Sequence, residues 1–123
     1  MAMAGEDWLV ECEDEAELRS LTHDFAAVKG LGGSGFIVTA RAEADGADFV
    51  SRFFAPGVGI DEDPVTGSAH CALGPYWGGR LGMTEMIGRQ LSRRGGMMHV
   101  SLKNGRAFLA GQAAIVFKGK LAL

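Results

Sequence analysis

Only two cysteines, Cys12 and Cys71, occur in the 123 residues. They lie far apart and in different expected elements, which leaves neither a disulfide framework nor a paired metal-ligand motif. Both read as free, buried thiols. No stretch reaches the roughly 18 consecutive apolar residues that span a bilayer, and Met1 to Asp7 lacks the basic and then apolar segments of a secretory leader. A soluble, cytoplasmic protein without membrane contact is expected. Basic runs are equally scarce: the 12 Lys and Arg residues are scattered except for Arg93-Arg94, and the formal charge is -3. No basic face is therefore expected to neutralise several phosphates, and nucleic acid is not an expected partner. His23, His70 and His99 are irregularly spaced and form neither His-x-x-x-His nor His-Glu-x-x-His, so they read as structural histidines and no metal is expected.

What the chain does have is apolar residues, 47% of the total, enough for one core and hence a single domain over 1–123. Trp8 to Cys12 reads as a strand, Glu15 to Leu21 as a helix with acids at its start, and Asp24 to Leu31 as a second short helix ending in the Gly30-Leu31-Gly32-Gly33-Ser34-Gly35 cluster. That cluster lacks the Gly-Lys-Ser/Thr ending of a phosphate loop. Phe36 to Ala40 and Asp48 to Ala55 read as a hairpin across a polar turn at Glu43 to Gly46. A buried helix starts at Ser68, and Pro75 is expected to kink or end it near Trp77. Four strand candidates follow: Gln90 to Ser92, Met97 to Lys103, Arg106 to Ala110 and Gln112 to Phe117, with Asn104-Gly105 a strong tight-turn signal. The pattern is α+β, mainly antiparallel sheet around one central helix, rather than alternating βαβ units.

The chemistry concentrates between Arg52 and His70. Asp63 precedes Pro64, which restricts its backbone to an extended conformation and so fixes where the carboxylate points. It is the candidate catalytic acid or base; from spacing alone it can equally be a carboxylate capping loop amides. Asp61 and Glu62 read as solvent-facing acids. Thr66, Gly67 and Ser68 suit a helix entry, where unpaired N–H groups can hold a substrate carboxylate and Gly67 allows close approach. Ser68 is a candidate substrate ligand through its hydroxyl and a poor nucleophile, because Gly67-Ser68-Ala69-His70 does not match the Gly-x-Ser-x-Gly elbow. Arg52 flanks Phe53 and Phe54, where it can attract an anionic substrate or form a surface ion pair. Tyr76 and Trp77 read as packing residues, and Cys71 as core.

The run from Arg52-Phe53-Phe54-Ala55-Pro56 through Glu62-Asp63-Pro64-Val65-Thr66-Gly67-Ser68-Ala69 closely resembles the phenazine-biosynthesis PhzF-like isomerase/epimerase family. The likeness extends more weakly over most of the chain, through Arg94-Gly95-Gly96 and the Gly111 to Gly119 segment. It implies a diaminopimelate epimerase-like fold of two pseudo-symmetric lobes, each a sheet wrapped around a central helix, with this chain similar to the C-terminal lobe alone. It also implies Asp63 in the place of the family's active-site aspartate, Ser68 in that of the serine at the helix entry, and amides of Gly67 and Ser68 on a substrate carboxylate. The implied reaction is cofactor-independent proton relocation on a dihydro-hydroxyanthranilate-like substrate. The family's catalytic glutamate and assisting histidine belong to the first lobe and have no counterpart here. The resemblance thus implies either a site completed by a homodimer mate or by a separately encoded first lobe, or a silent binding or structural remnant. An isolated lobe should also expose apolar surface and associate.

Overall fold

The computed structural model describes residues 1–22, 30–43 and 46–122. Seven strands form one sheet whose spatial order equals their chain order: β1 (Ala2–Ala4), β2 (Asp7–Glu11), β3 (Gly35–Arg41), β4 (Phe49–Phe54), β5 (Glu85–Gln90), β6 (Gly96–Lys103) and β7 (Arg106–Ala110). Helix α1 (Glu15–Ser20) lies between β2 and β3, and helix α2 (Gly67–Leu81) between β4 and β5. The helix expected over Asp24 to Leu31 falls largely on residues 23–29, outside the described residues, as does His23.

The α+β reading holds, with one difference. Strands β2 and β3 pair in parallel, as do β4 and β5, while the other four pairings are antiparallel. The sheet is thus mainly antiparallel as expected, and its two parallel pairs are joined by helical crossovers, because a parallel pair needs a long connection. Both crossovers advance in the same direction across the sheet, but β3 and β4 are antiparallel, so the second runs the opposite way. The right-handed sense that such connections almost always take then puts the two helices on opposite faces.

The core divides accordingly. On one face Ile37, Phe49, Phe53, Met86 and Val100 pack with Ala69, Leu73 and Trp77 of α2; on the other Phe36, Val38, Ala40, Val50 and Phe54 pack with Leu18 of α1. Strand β3 is covered on both sides, which explains its nearly continuous apolar run. The expected hairpin is present, with Phe36 opposite Phe54 and Ala40 opposite Val50.

Helix α1 begins where the acids placed it. Asp14 is its N-cap and accepts the Glu17 N–H at 2.7 Å. Helix α2 continues past Pro75 to Leu81, contrary to the expected break. Pro75 lies on the exposed side together with Cys71, whose carbonyl loses its helical donor where water can replace it. Cys71 is thus exposed and Cys12 only half-buried, so neither is the buried core thiol expected. The helix stops at Gly82, which adopts the left-handed conformation.

At the C-terminal end β6 and β7 form the hairpin announced by Asn104-Gly105. Of the segment expected as a strand at Gln90 to Ser92 only Gln90 is in β5, which runs earlier, from Glu85, while Leu91 and Ser92 lie beyond its end. Residues 111–122 have no regular structure, so the strand expected over Gln112 to Phe117 is not formed. Ile115, Val116 and Phe117 are 76%, 95% and 83% exposed, an apolar segment with β-propensity that pairs with no strand among the described residues. No helix among the described residues is long and apolar enough to cross a membrane.

Gly88 shows how tightly α2 sits on the sheet. A Cβ there would lie 2.5 Å from the Phe49 ring and 2.9 Å from His70 Nε2. Gly88→Ala is expected to lower the unfolding free energy by about 1–3 kcal/mol through overpacking. Urea denaturation of the two proteins, with the slope unchanged and the midpoint lowered, measures this.

Candidate active site

The loop Asp61 to Thr66 joins the sheet to α2 and carries the candidate acid. Its backbone is pinned first: the Asp63 N–H donates to the Phe53 carbonyl at 3.0 Å. The Thr66 hydroxyl donates to the Asp63 carboxylate, drawing that side chain to the helix entrance. Asp63 therefore does engage a capping residue, but through a hydroxyl rather than through loop amides.

Gln90, at the end of β5, fixes this turn from below. It is 1% exposed. Its Nε2 donates to the Asp63 carbonyl at 2.7 Å and to Thr66 Oγ1 at 3.1 Å, and its Oε1 accepts the Thr66 N–H at 2.8 Å. One carboxamide thus satisfies both ends of the turn, and an O/N exchange would undo every bond. Ser92 adds a second tie, donating to the Pro64 carbonyl at 2.7 Å while accepting the Gly95 N–H at 2.9 Å. Gly96 leaves room for Val65, whose Cγ2 would lie 2.2 Å from any Cβ added there.

These bonds leave the start of α2 open. Thr66 is the N-cap, yet its hydroxyl is committed to Asp63 and no side chain caps the helix. The first turn carries no acidic residue, and Gly67 and Ser68 are exposed. The helical ladder begins with the His70 N–H to the Thr66 carbonyl at 3.3 Å, so the amides before it point outward from a 15-residue helix. Such amides, with the helix dipole behind them, favour an anion.

His70 lies behind the entrance and is fully buried. Its Nδ1 is 2.8 Å from the Thr66 carbonyl, which can only accept, so Nδ1 carries the proton. Burial depresses its pKa below the ordinary 6.5, and the bond to Thr66 offsets this in part. Among the described residues its Nε2 has no partner, and neither has the buried Ser51 hydroxyl. Ser51 stands between Thr39 and Gln90 in register, forming a buried polar row under α2. Thr39 is satisfied by donating to the Val50 carbonyl and accepting from Trp77 Nε1 at 2.9 Å.

Arg52 lies elsewhere. It sits on the α1 face, where Nε and Nη2 donate to the two carboxylate oxygens of Glu62 at 2.8 and 3.0 Å and Nη1 donates to the carbonyls of Leu18 and Leu21. Its guanidinium also stacks over Phe54. The structure makes it a clamp between the end of α1 and the loop before Asp63, and makes Glu62 its counter-ion rather than a solvent-facing acid. The geometry brings Asp63, Gly67 and Ser68 together and leaves Arg52 apart. Sequence reading missed Gln90 and Ser92, which lie 24 or more residues beyond the turn they hold and match no local motif. Among the described residues no three His, Cys, Asp or Glu side chains stand together as metal ligands.

The sequence profile of the phenazine biosynthesis-like protein family matches residues 1–119. This chain belongs to that family. It is 44% identical over 117 residues to an uncharacterized isomerase of Halalkalibacterium halodurans, covering 95% of this chain and 44% of that protein. An uncharacterized isomerase of Pseudomonas aeruginosa is 49% identical over 115 residues, covering 94% and 43%. Among solved structures, a phenazine biosynthesis PhzF family protein of Enterococcus faecalis superimposes with a TM-score of 0.76 at 43% identity, covering 90% of this chain and 45% of that one. A PhzC/PhzF protein of Clostridium difficile gives 0.75 at 37% identity, covering 93% and 46%. The chain spans less than half the length of these relatives, an extent that fits one lobe of a two-lobed protein.

The pH dependence of folding tests the His70 environment. Unfolded His70 takes up a proton near pH 6.5, whereas the buried ring does so only at lower pH. Its contribution is therefore complete above the unfolded pKa and is lost as pH falls through the folded one. Stability should decline as pH falls below about 6.5 in the native protein, and His70→Asn, which keeps a donor near Nδ1 but does not titrate, should flatten that limb. Equilibrium urea titrations across this range separate it from Glu15. That carboxylate is pushed up by burial but held below its ordinary 4.5 on balance by the Glu43 amide and Arg19, so its loss lies at lower pH.

Proposed function

We propose that this chain is the carboxylate-binding lobe of a cofactor-independent isomerase, with Asp63 as the proton-handling group. In this reading the exposed amides of Gly67 and Ser68, with the Ser68 hydroxyl, hold the carboxylate of a small substrate of the dihydro-hydroxyanthranilate type. Asp63, held at the entrance by Thr66, takes part in moving a proton from one substrate atom to another. The observation that carries the proposal is the uncapped start of α2 with an aspartate drawn to it by the N-cap hydroxyl itself. The names of the relatives, isomerase and phenazine biosynthesis-like, support the reaction class.

A second lobe or subunit completes the site in this proposal. The exposed apolar segment Ile115, Val116 and Phe117 supports association, since apolar surface of this kind is costly to leave in water. A homodimer mate and a separately encoded first lobe both meet this need. Two free thiols accord with a cytoplasmic location, where reducing conditions keep cysteines unpaired.

A catalytically silent binding lobe is the second reading, in which the open start of α2 holds a carboxylate while Asp63, engaged by the Thr66 hydroxyl, moves no proton. Proton NMR in deuterated buffer with a dihydro-hydroxyanthranilate-type substrate distinguishes the two. Isomerisation with solvent deuterium incorporation is expected for the native chain, alone or with an added first lobe, and Asp63→Asn should slow it by about 100-fold or more. Substrate binding without exchange under both conditions would establish the silent lobe instead.

A further inference from the structure

A threonine at a helix N-cap ordinarily turns its oxygen to the N–H of the second or third helical residue. Thr66 holds that position at the start of α2 and does not do so, since no side chain caps this helix. Its hydroxyl oxygen accepts Gln90 Nε2–H at 3.1 Å instead, and its proton goes to Asp63 Oδ2. Thr66 and Gln90 are both buried, so these bonds form away from competing water.

The direction of the chain is set at its sheet end. Gln90 Oε1 accepts the Thr66 N–H at 2.8 Å, while Nε2 also donates to the Asp63 carbonyl at 2.7 Å. The carboxamide is thereby locked with its nitrogen toward the Thr66 hydroxyl. A carboxamide nitrogen only donates, and a hydroxyl has one proton to give. With Nε2–H on one lone pair of Thr66 Oγ1, the hydroxyl proton turns away from Gln90 and meets the Asp63 carboxylate. Donors therefore run one way, from the end of β5 through Thr66 to one oxygen of Asp63.

The two carboxylate oxygens become unequal as a result. Oδ2 is occupied by the Thr66 hydroxyl, whereas Oδ1 accepts no hydrogen bond among the described residues. Given the proton transfer proposed above, on which this assignment rests, we infer that Thr66, oriented by Gln90, is a positioning residue: it occupies Oδ2 and reserves Oδ1 for the substrate proton. A bond from a substrate atom to hydrogen breaks as the Oδ1–H bond forms. The same proton then passes from Oδ1 to a second substrate atom, and Asp63 is left ionised as it began. Throughout, Oδ2 keeps its bond to Thr66, because the carbonyl oxygen of a protonated carboxyl still accepts.

Steady-state kinetics of substrate isomerisation, followed by proton NMR under whichever condition the native chain turns over, test this with Thr66→Val and Thr66→Ser. Valine keeps the branched shape and the backbone N–H to Gln90 but has no hydroxyl. Its kcat is expected to fall about 10-fold or more while KM stays within about twofold, since the Gly67 and Ser68 amides are untouched. Serine keeps the hydroxyl and should stay within about threefold of native. A purely structural role would loosen the amides together with Asp63 and raise KM. Native kcat in Thr66→Val, a raised KM with unchanged kcat, or Thr66→Ser as slow as Thr66→Val would overturn the assignment and leave the isomerase reading standing. No turnover by the native chain, alone or with an added first lobe, would overturn that reading and the role of Thr66 with it. A measurement on the unaltered chain does not depend on how the variants fold: the Thr66 hydroxyl proton should exchange slowly enough to give its own resonance, with an NOE to the Gln90 side-chain amide. Exchange as fast as that of a free hydroxyl would also overturn the assignment.

Discussion

The buried carboxamide of Gln90 is the constraint on which the candidate site depends. It lies under α2 at the end of a core strand, and its three hydrogen bonds span the turn from Asp63 to Thr66. A buried amide must satisfy its donors and acceptor, since leaving one unmade costs about 1–3 kcal/mol. The backbone turn must likewise satisfy an N–H and a carbonyl away from water. Each solves the other's problem, so the loop is held in one position relative to the sheet. That frees the Thr66 hydroxyl for Asp63 and leaves the first turn of α2 without a side-chain cap. An uncapped helix start next to an oriented carboxylate follows from how one glutamine is satisfied.

The division of the sheet into two faces gives this arrangement its setting. The right-handed sense of the two crossovers sends α1 and α2 to opposite sides, and the residues of β4 separate with them. Phe49, Ser51 and Phe53 face α2, whereas Val50, Arg52 and Phe54 face α1. Arg52 thereby becomes a clamp holding Glu62, one residue before Asp63, while Gln90 holds the same loop from the other side. The short loop is braced from both faces, which accounts for its fixed geometry.

Much of the fold was legible locally. The apolar, partly β-branched run Phe36 to Ala40, the alternation of Asp48 to Ala55, the acids before α1 and the Asn104-Gly105 turn act over a few residues and appear in the structure as read. The site was legible in part: Asp63-Pro64 and Thr66-Gly67-Ser68 are contiguous, so their shared neighbourhood follows from chain connectivity. Other expectations failed where neighbours decide. Pro75 does not end α2, because its missing N–H faces solvent while the opposite side of the helix is buried. Cys71 is exposed for the same reason, being one helical turn from Pro75. Residues 112–117 have the composition of a strand but pair with none among the described residues.

The sequence by itself determined where α1 begins and where the β6–β7 hairpin turns, which family the site motif resembles, and that Asp63 stands at a helix entry, because propensity, capping and motif act along the chain. The tertiary structure alone decided that Arg52 points away from that entry and that Gln90 and Ser92 hold it. Those outcomes depend on strand register and crossover hand. They bring together residues separated by 24 to 34 positions, which no local pattern encodes.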